Sequence, residues 1–200
     1  MKVILLCAGY ATRLYPLTLD TPKPLLPVGG RPLLEWILDR VQQVKGIDAA
    51  YIMTNHKFSG HFSNWAKKVR YPWPVEVIDD QTTSNETRLG AIGDLAYALK
   101  EKKVGEEDLL VIAGDNLFTF DLVEFVGAAR LKGPYAAIAV YDVKDRELAK
   151  QYGLVRPDAK GKVLEFLEKP KNPPAPISTS CITILTTPKL RVCGRWVQKF

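Results

Sequence analysis

Four short, mainly apolar runs, Val3–Leu6, Ala49–Met53, Val75–Ile78 and Leu109–Ala113, constrain this chain more than any other feature. An apolar run with little alternation suits a strand covered on both faces. The segments between the runs read as helices. The first carries Pro32 in its first turn and a stripe of Leu34, Ile37, Leu38, Val41 and Val44. Ser59–Lys68 is weaker, and Gly90–Lys100 and Asp121–Arg130 follow, with a strand over Tyr135–Tyr141. Strand–helix alternation of this kind predicts a mainly parallel sheet flanked by helices. Beyond Tyr152 the helices fade. Gly153–Val155, Val163–Phe166 and Cys181–Leu185 read as short strands around the proline-rich Pro170–Pro176.

The connection after the first strand is anomalous. Cys7–Gly30, CAGYATRLYPLTLDTPKPLLPVGG, is far longer than an ordinary strand-to-helix loop of about 2–6 residues. In an open α/β sheet a ligand sits beyond the carboxyl ends of the strands, where this segment begins. Gly9 permits a positive φ and a close backbone approach. Successive N–H groups at such a turn make a nest for phosphate. Thr12 adds a hydroxyl and Arg13 a planar fork that matches two phosphate oxygens. Lys23 stands between Pro22 and Pro24, which fix their own φ and push their predecessors toward extended backbone. The leucines of the segment are expected to tuck it onto the edge of the sheet. A stiff surface loop with two solvated cations explains the same residues, so physics alone leaves both readings open.

Two more positions carry chemistry. Asp115, in Gly114-Asp115-Asn116, follows a buried strand and can hold a divalent cation or cap the next turn. Glu168-Lys169-Pro170 places an acid and a base beside a proline. Other chemistries are excluded or weak. GxGxxG, GxxxxGK[ST] and HExxH motifs are absent from the sequence. His56 and His61 are badly spaced for a helical metal pair and read as surface or structural residues. Asp79-Asp80 could serve a metal-dependent glycosyltransferase, but that leaves the Arg13–Lys23 segment unexplained. Three cysteines without CxxC spacing fit a reducing cytoplasm rather than a disulfide framework or thiolate zinc site. The net charge is +6, yet residues 170–200 hold five basic side chains and no acidic one, so the body is nearly neutral. No basic stripe interleaved with aromatics marks a nucleic-acid surface, and no apolar run is long enough to span a membrane.

Read in order, LCAGYATRLYPLT, TPKPLLPVGGRPLLEW, VIAGDN and FLEKP resemble the sugar-1-phosphate nucleotidylyltransferases, the nucleotide-sugar pyrophosphorylases. The resemblance implies a Rossmann-like three-layer αβα sandwich with a mixed, mostly parallel sheet. It implies one domain over 1–200, with 1–141 binding nucleotide and 142–200 binding sugar. Ala8, Gly9 and Thr12 would wrap a nucleoside triphosphate. Arg13 would hold its β- and γ-phosphates, and Lys23 would neutralise charge near the reacting phosphates. Asp115 would bind Mg²⁺. Gly153 and Glu168 would contact the sugar, and Lys169 would grip its 1-phosphate. The partners implied are an NTP and a sugar 1-phosphate, with a homo-oligomer compatible with the family.

For the base, Gly90 matches the glycine that ends the family's reading loop, and Asn85 falls near its amide, suited to the imide edge of uracil or thymine. dTTP or UTP is therefore expected. Glu86 with LGAIG also looks like the loop of guanylyl enzymes, so GTP and CTP users stay open. The resemblance fades near Pro170. No Asp or Glu follows Glu168 to supply the family's second metal ligand, Thr183 replaces an expected tyrosine, and TTPKLRVCGRWVQKF is unlike the family. The expectation is weak metal affinity without nucleotide, with a catalytically impaired nucleotide-sugar-binding or regulatory subunit as the alternative.

Overall fold

In a computed structural model of the chain, the structure describes residues 1–105, 107–131, 136–173 and 178–185. The expected strand start at Tyr135, part of the proline-rich stretch, Cys193 and the basic run 186–200 lie outside them. The described residues form two compact units, one built on Met1–Ala136 and the other on Ala137–Thr183.

In the first unit, β1 (Lys2–Leu6) opens the chain. The long connection follows, and β2 (Pro27–Val28) pairs with β3 (Arg31–Pro32) in a small antiparallel ribbon. Then come α1 (Leu33–Gln42), β4 (Ala49–Thr54), α2 (His56–Ala66), β5 (Val75–Asp79), α3 (Gly90–Glu101), β6 (Leu109–Ala113) and α4 (Leu122–Leu131). The strands of this unit run parallel in the order β5-β4-β1-β6. β1 is central, with Leu6 opposite both Met53 and Ala113. The sheet interior explains the apolar runs. Ile4, Leu5, Ile52, Met53, Leu110 and Ile112 are wholly buried, as are Leu34, Ile37 and Leu38 on the stripe of α1. Each such side chain contributes about 1.5–3 kcal/mol through burial. No described helix is long and apolar enough to cross a membrane.

The second unit holds β7 (Ala137–Asp142), a one-turn α5 (Arg146–Ala149), β8 (Gly153–Pro157), β9 (Val163–Glu168) and β10 (Ser178–Leu185). β8 and β9 form an antiparallel hairpin with Gly153 opposite Glu168. β10 pairs antiparallel with β8, Thr179 against Leu154, and β7 also pairs with β10. α5 is set by Asp145, whose carboxylate accepts from the N–H groups of Glu147 and Leu148 at 2.8 and 3.0 Å.

Candidate active site

The carboxyl ends of β1, β4 and β6 deliver the first group of predicted residues to one edge of the sheet. Cys7 N–H donates to Met53 O at 2.8 Å and Gly114 N–H to Leu6 O at 2.9 Å, so the sheet bonding continues past the strand ends. Gly114 is required there, because a Cβ would collide with Cys7 Sγ. Asp115 emerges directly beyond that contact. The carbonyl of Ala8 accepts from Asn55 Nδ2 at 2.9 Å, and Asn55 Oδ1 accepts from Phe58 N–H at 3.1 Å to cap α2. One fully buried asparagine thus fixes both a helix start and the first residues of the long connection.

That connection is not the open loop its length suggests. It contains 3-10 turns over Thr12–Leu14 and Lys23–Leu25. Two expectations for it are corrected. The left-handed residue is Ala11, at φ 47° and ψ 39°, rather than Gly9. Thr18, wholly buried, holds the Ala11 carbonyl through its Oγ1 at 2.8 Å and offsets the strain. Leu14 and Leu17 do not anchor the segment either, at 37% and 66% exposed, whereas Leu25 and Leu26 are half-buried. Cys7, Ala8, Tyr10, Thr18, Pro22 and Pro24 are the buried residues instead. Lys23 is therefore held by flanking prolines, but it opens a tight turn rather than standing in extended backbone.

The outcome is a cleft of about 800 Å³ that Ala8, Gly9, Thr12, Arg13, Lys23, Asn85, Gly90 and Asp115 all line. Every nucleotide and metal position expected from sequence in the first unit meets in that one space. A Cβ on Gly9 would touch nothing, so its absence leaves room in the cleft. Lys23 Nζ donates to Asp115 Oδ2 at 2.8 Å, joining residues 92 positions apart. Both are partly exposed, so the pair adds little stability; it fixes where a cation and an anion stand. Arg13 is exposed and makes no salt bridge among the described residues. Gly90 starts α3 at φ +75°, a value only glycine takes without strain. Asn85 lies in the turn before it and its carbonyl accepts from Arg88 Nη1 at 3.0 Å. Glu86, the possible guanine acceptor, is exposed and does not line the cleft. Its carboxyl is held below the usual range by hydrogen bonds from Ser84 and its own backbone and by Arg88.

The Asp115 carboxylate, at the rim of this cleft, could hold one divalent cation of a particular kind. Among the described residues no group of three or more His, Cys, Asp or Glu side chains could hold a metal. A single exposed carboxylate fits hydrated Mg²⁺ that arrives on phosphate oxygens, which demands few protein ligands. The acidic pair Asp79-Asp80 does not make a metal site: Asp79 Oδ2 bonds His56 Nδ1 at 2.7 Å, and Asp80 Oδ1 accepts from Thr82 N–H and Oγ1, both at 2.7 Å.

In the second unit, Gly153, Glu168 and Lys169 fall together. A Cβ on Gly153 would press on the Phe166 ring at 2.9 Å and Glu168 Oε2 at 3.1 Å, so the glycine lets that carboxylate lie over the strand. Lys169 N–H donates to Tyr152 O at 3.1 Å, and Lys169 Nζ lies 3.1 Å from Glu168 Oε1. Its φ is 44°, left-handed for a residue with a side chain.

Sequence reasoning passed over one feature. Asp94, on α3, and Asp80, just after β5, are 6% and 4% exposed. Burial, the charge of Asp80 and a hydrogen bond with it push the Asp94 carboxyl up to about 7. The available signal was an acid beside Leu95 and Ala98 on the helix face that packs inward. A carboxyl whose folded pKa is raised stabilises the fold most below its unfolded value of 3.8, and that stability fades as pH rises through about 7. Asp94→Asn, which cannot ionise, is expected to raise the melting temperature more at pH 8 than at pH 5. Scanning calorimetry at both pH values checks this; a larger gain at pH 5 would contradict it.

Comparison with known proteins places these features in context. A family model described as nucleotidyl transferase matches residues 2–194. The UTP–glucose-1-phosphate uridylyltransferase of Synechocystis sp. is 30% identical over 85% of this chain and 44% of its own length. The glucose-1-phosphate adenylyltransferase of Fervidobacterium nodosum is 28% identical over 92% of this chain and 46% of its own. The chain thus spans less than half the length of these curated relatives. A crystal structure of UDP-glucose pyrophosphorylase complexed with UDP-glucose superposes with a TM-score of 0.77 over 96% of this chain and 78% of that one, at 18% identity. At that identity the likeness speaks to the fold.

Proposed function

The chain belongs to the nucleotidyl transferase family, and from that premise we propose that it transfers a nucleotidyl group from an NTP to a sugar 1-phosphate, giving an NDP-sugar and pyrophosphate. The observation that carries the reading is the convergence of Arg13, Lys23 and Asp115 on one cleft at the carboxyl edge of the parallel strands.

A phosphate monoester dianion is already a nucleophile, so the reaction requires no Ser–His–Asp apparatus. The barrier lies in bringing two anions together and in stabilising the charge that builds on the expelled pyrophosphate. Arg13 offers a fork to the β- and γ-phosphates. Lys23 offers a point charge that exchanges Asp115 for phosphate oxygens when the triphosphate arrives. Asp115 is the residue that would hold Mg²⁺, which when bound spreads the negative charge of the phosphates. Gly9 leaves backbone and open space where a bulkier residue would exclude the nucleotide. On the second unit, Lys169 receives the 1-phosphate, and Gly153 and Glu168 contact the sugar.

For the base, Asn85 supports uracil or thymine, since its amide can donate to a carbonyl of the imide edge. dTTP or UTP is therefore the proposed donor. Pyrophosphate release measured with all four ribonucleotides and dTTP, against several sugar 1-phosphates, tests this. The expected outcome is fastest release with UTP or dTTP. Fastest release with GTP would overturn the base assignment and leave the reaction standing.

A further inference from the structure

One buried carboxyl in the wall of the cleft, that of Asp94, is used by none of the roles above, and a second, that of Asp80, is buried beside it. Asp80 Oδ2 and Asp94 Oδ1 are both sealed from solvent and have no hydrogen-bond partner in the ordinary donor–acceptor sense. Neither residue makes a salt bridge among the described residues. Burying unpaired carboxylates opposes folding by several kcal/mol on general grounds. A protonated Asp94 relieves this, since burial and the neighbouring charge of Asp80 both push its carboxyl upward.

The pair is also rigidly held. Asp80 Oδ1 takes both donors of Thr82, and Tyr10 OH donates to Thr82 O at 3.0 Å. Asp80 N–H in turn donates to Thr54 O at 2.9 Å. Asp94 faces the cleft, which it lines together with Asn85, Arg88, Gly90 and Ala91. It follows Gly90 by four residues on α3, which places it one turn further along the same helix face. Asp94 Oδ1 has no hydrogen-bond partner there, so the wall that Asn85 and Gly90 also line holds an acceptor that no described residue satisfies.

We propose that Asp94 is a specificity-determining residue for the nucleobase, a carboxyl oxygen accepting the hydrogen bond from the ring N–H on the edge of the base while the Asn85 amide donates to the neighbouring carbonyl. The inference rests on the cleft being the nucleotide site and extends it. Asn85 can flip its amide to suit several edges, whereas the clamped carboxylate presents an acceptor and rejects a base that turns a carbonyl toward it. A buried acceptor left unpaired penalises the wrong base more than a good contact rewards the right one.

The test measures equilibrium binding of each NTP, of inorganic tripolyphosphate and of an N-methylated analogue of the preferred base, to the parent chain, Asp94→Asn and Asp94→Ala. Asn is isosteric, so the test stands even if the truncation fails to fold. The parent is expected to prefer one base, and both variants to reduce that preference about 10- to 100-fold, while tripolyphosphate affinity holds. The penalty of N-methylation is expected to shrink in the variants, as a coupled pair requires. Equal weakening of every NTP and of tripolyphosphate would overturn the proposal, as would an unchanged base preference or a change that follows the 2′-hydroxyl. Failure of the parent to bind any NTP would reject the nucleotide site itself. Tight, selective binding that ignores Asp94 would reject the inference alone.

Discussion

Arg13→Ala is expected to lower kcat/KM by about 10²–10³-fold, the loss that follows removal of one preorganised charge from a reacting centre. The side chain stands exposed on the 3-10 turn Thr12–Leu14 and makes no salt bridge among the described residues. Truncating it therefore removes no partner that the fold relies on, and surface changes of this kind shift stability by about 0.5 kcal/mol or less. A change in rate with an unchanged melting temperature separates chemistry from folding. Arg13→Lys keeps the charge but not the planar fork, so it is expected to recover only part of the rate. Steady-state kinetics with saturating sugar 1-phosphate and varied NTP, beside a melting curve, decide the matter. Parental kinetics in Arg13→Ala would reject its assignment.

Lys169 carries the second large effect, and its backbone supplies an unusual control. At φ 44° it sits in the left-handed region, where a residue with a Cβ is strained by about 1–2 kcal/mol and glycine is not. Its ammonium lies 3.1 Å from Glu168 Oε1 on exposed surface, a pair that adds little to stability. Lys169→Ala is expected to lower kcat/KM for the sugar 1-phosphate about 10²–10³-fold. Lys169→Gly is expected to lose the same activity while melting at or above the parental temperature, because it relieves the strain. A glycine variant that retains turnover would show that Lys169 does not grip the phosphate. An unstable glycine variant would show instead that the side chain holds the hairpin together.

The parallel core was legible because its residues are simple. Leu109–Ala113 is a strand with the limits its sequence indicates, since continuous apolarity has few other uses in a chain of alternating helices. The likeness of residues 2–194 to the nucleotidyl transferase model bears out the family that the motif order pointed to. Features decided by a few polar contacts were not legible. α5 is four residues long, too short to show a period, and rests on the cap that Asp145 provides. Gly9 was the natural candidate for a positive φ, yet Thr18 draws the carbonyl of Ala11 inward and puts the strain there. Leu17 looked like an anchor and is exposed, while buried Thr18, Pro22 and Pro24 secure the segment. The residues around the cleft could be named one by one, but the Lys23–Asp115 contact joins positions 92 apart and no local pattern encodes it. Asp94 escaped notice because a helical stripe is read for apolar residues, and an acid within it looks like an interruption.

The central claim is that this chain joins a nucleotidyl group to a sugar 1-phosphate, and product stoichiometry tests it most directly. Purified protein is incubated with UTP or dTTP, Mg²⁺ and a panel of sugar 1-phosphates, and pyrophosphate and NDP-sugar are quantified together by chromatography and mass spectrometry. The account predicts equal amounts of both products, formed only when triphosphate and sugar 1-phosphate are present together, and abolished by Arg13→Ala. Tight binding of both substrates with no pyrophosphate released, or release that ignores the sugar phosphate, would contradict it.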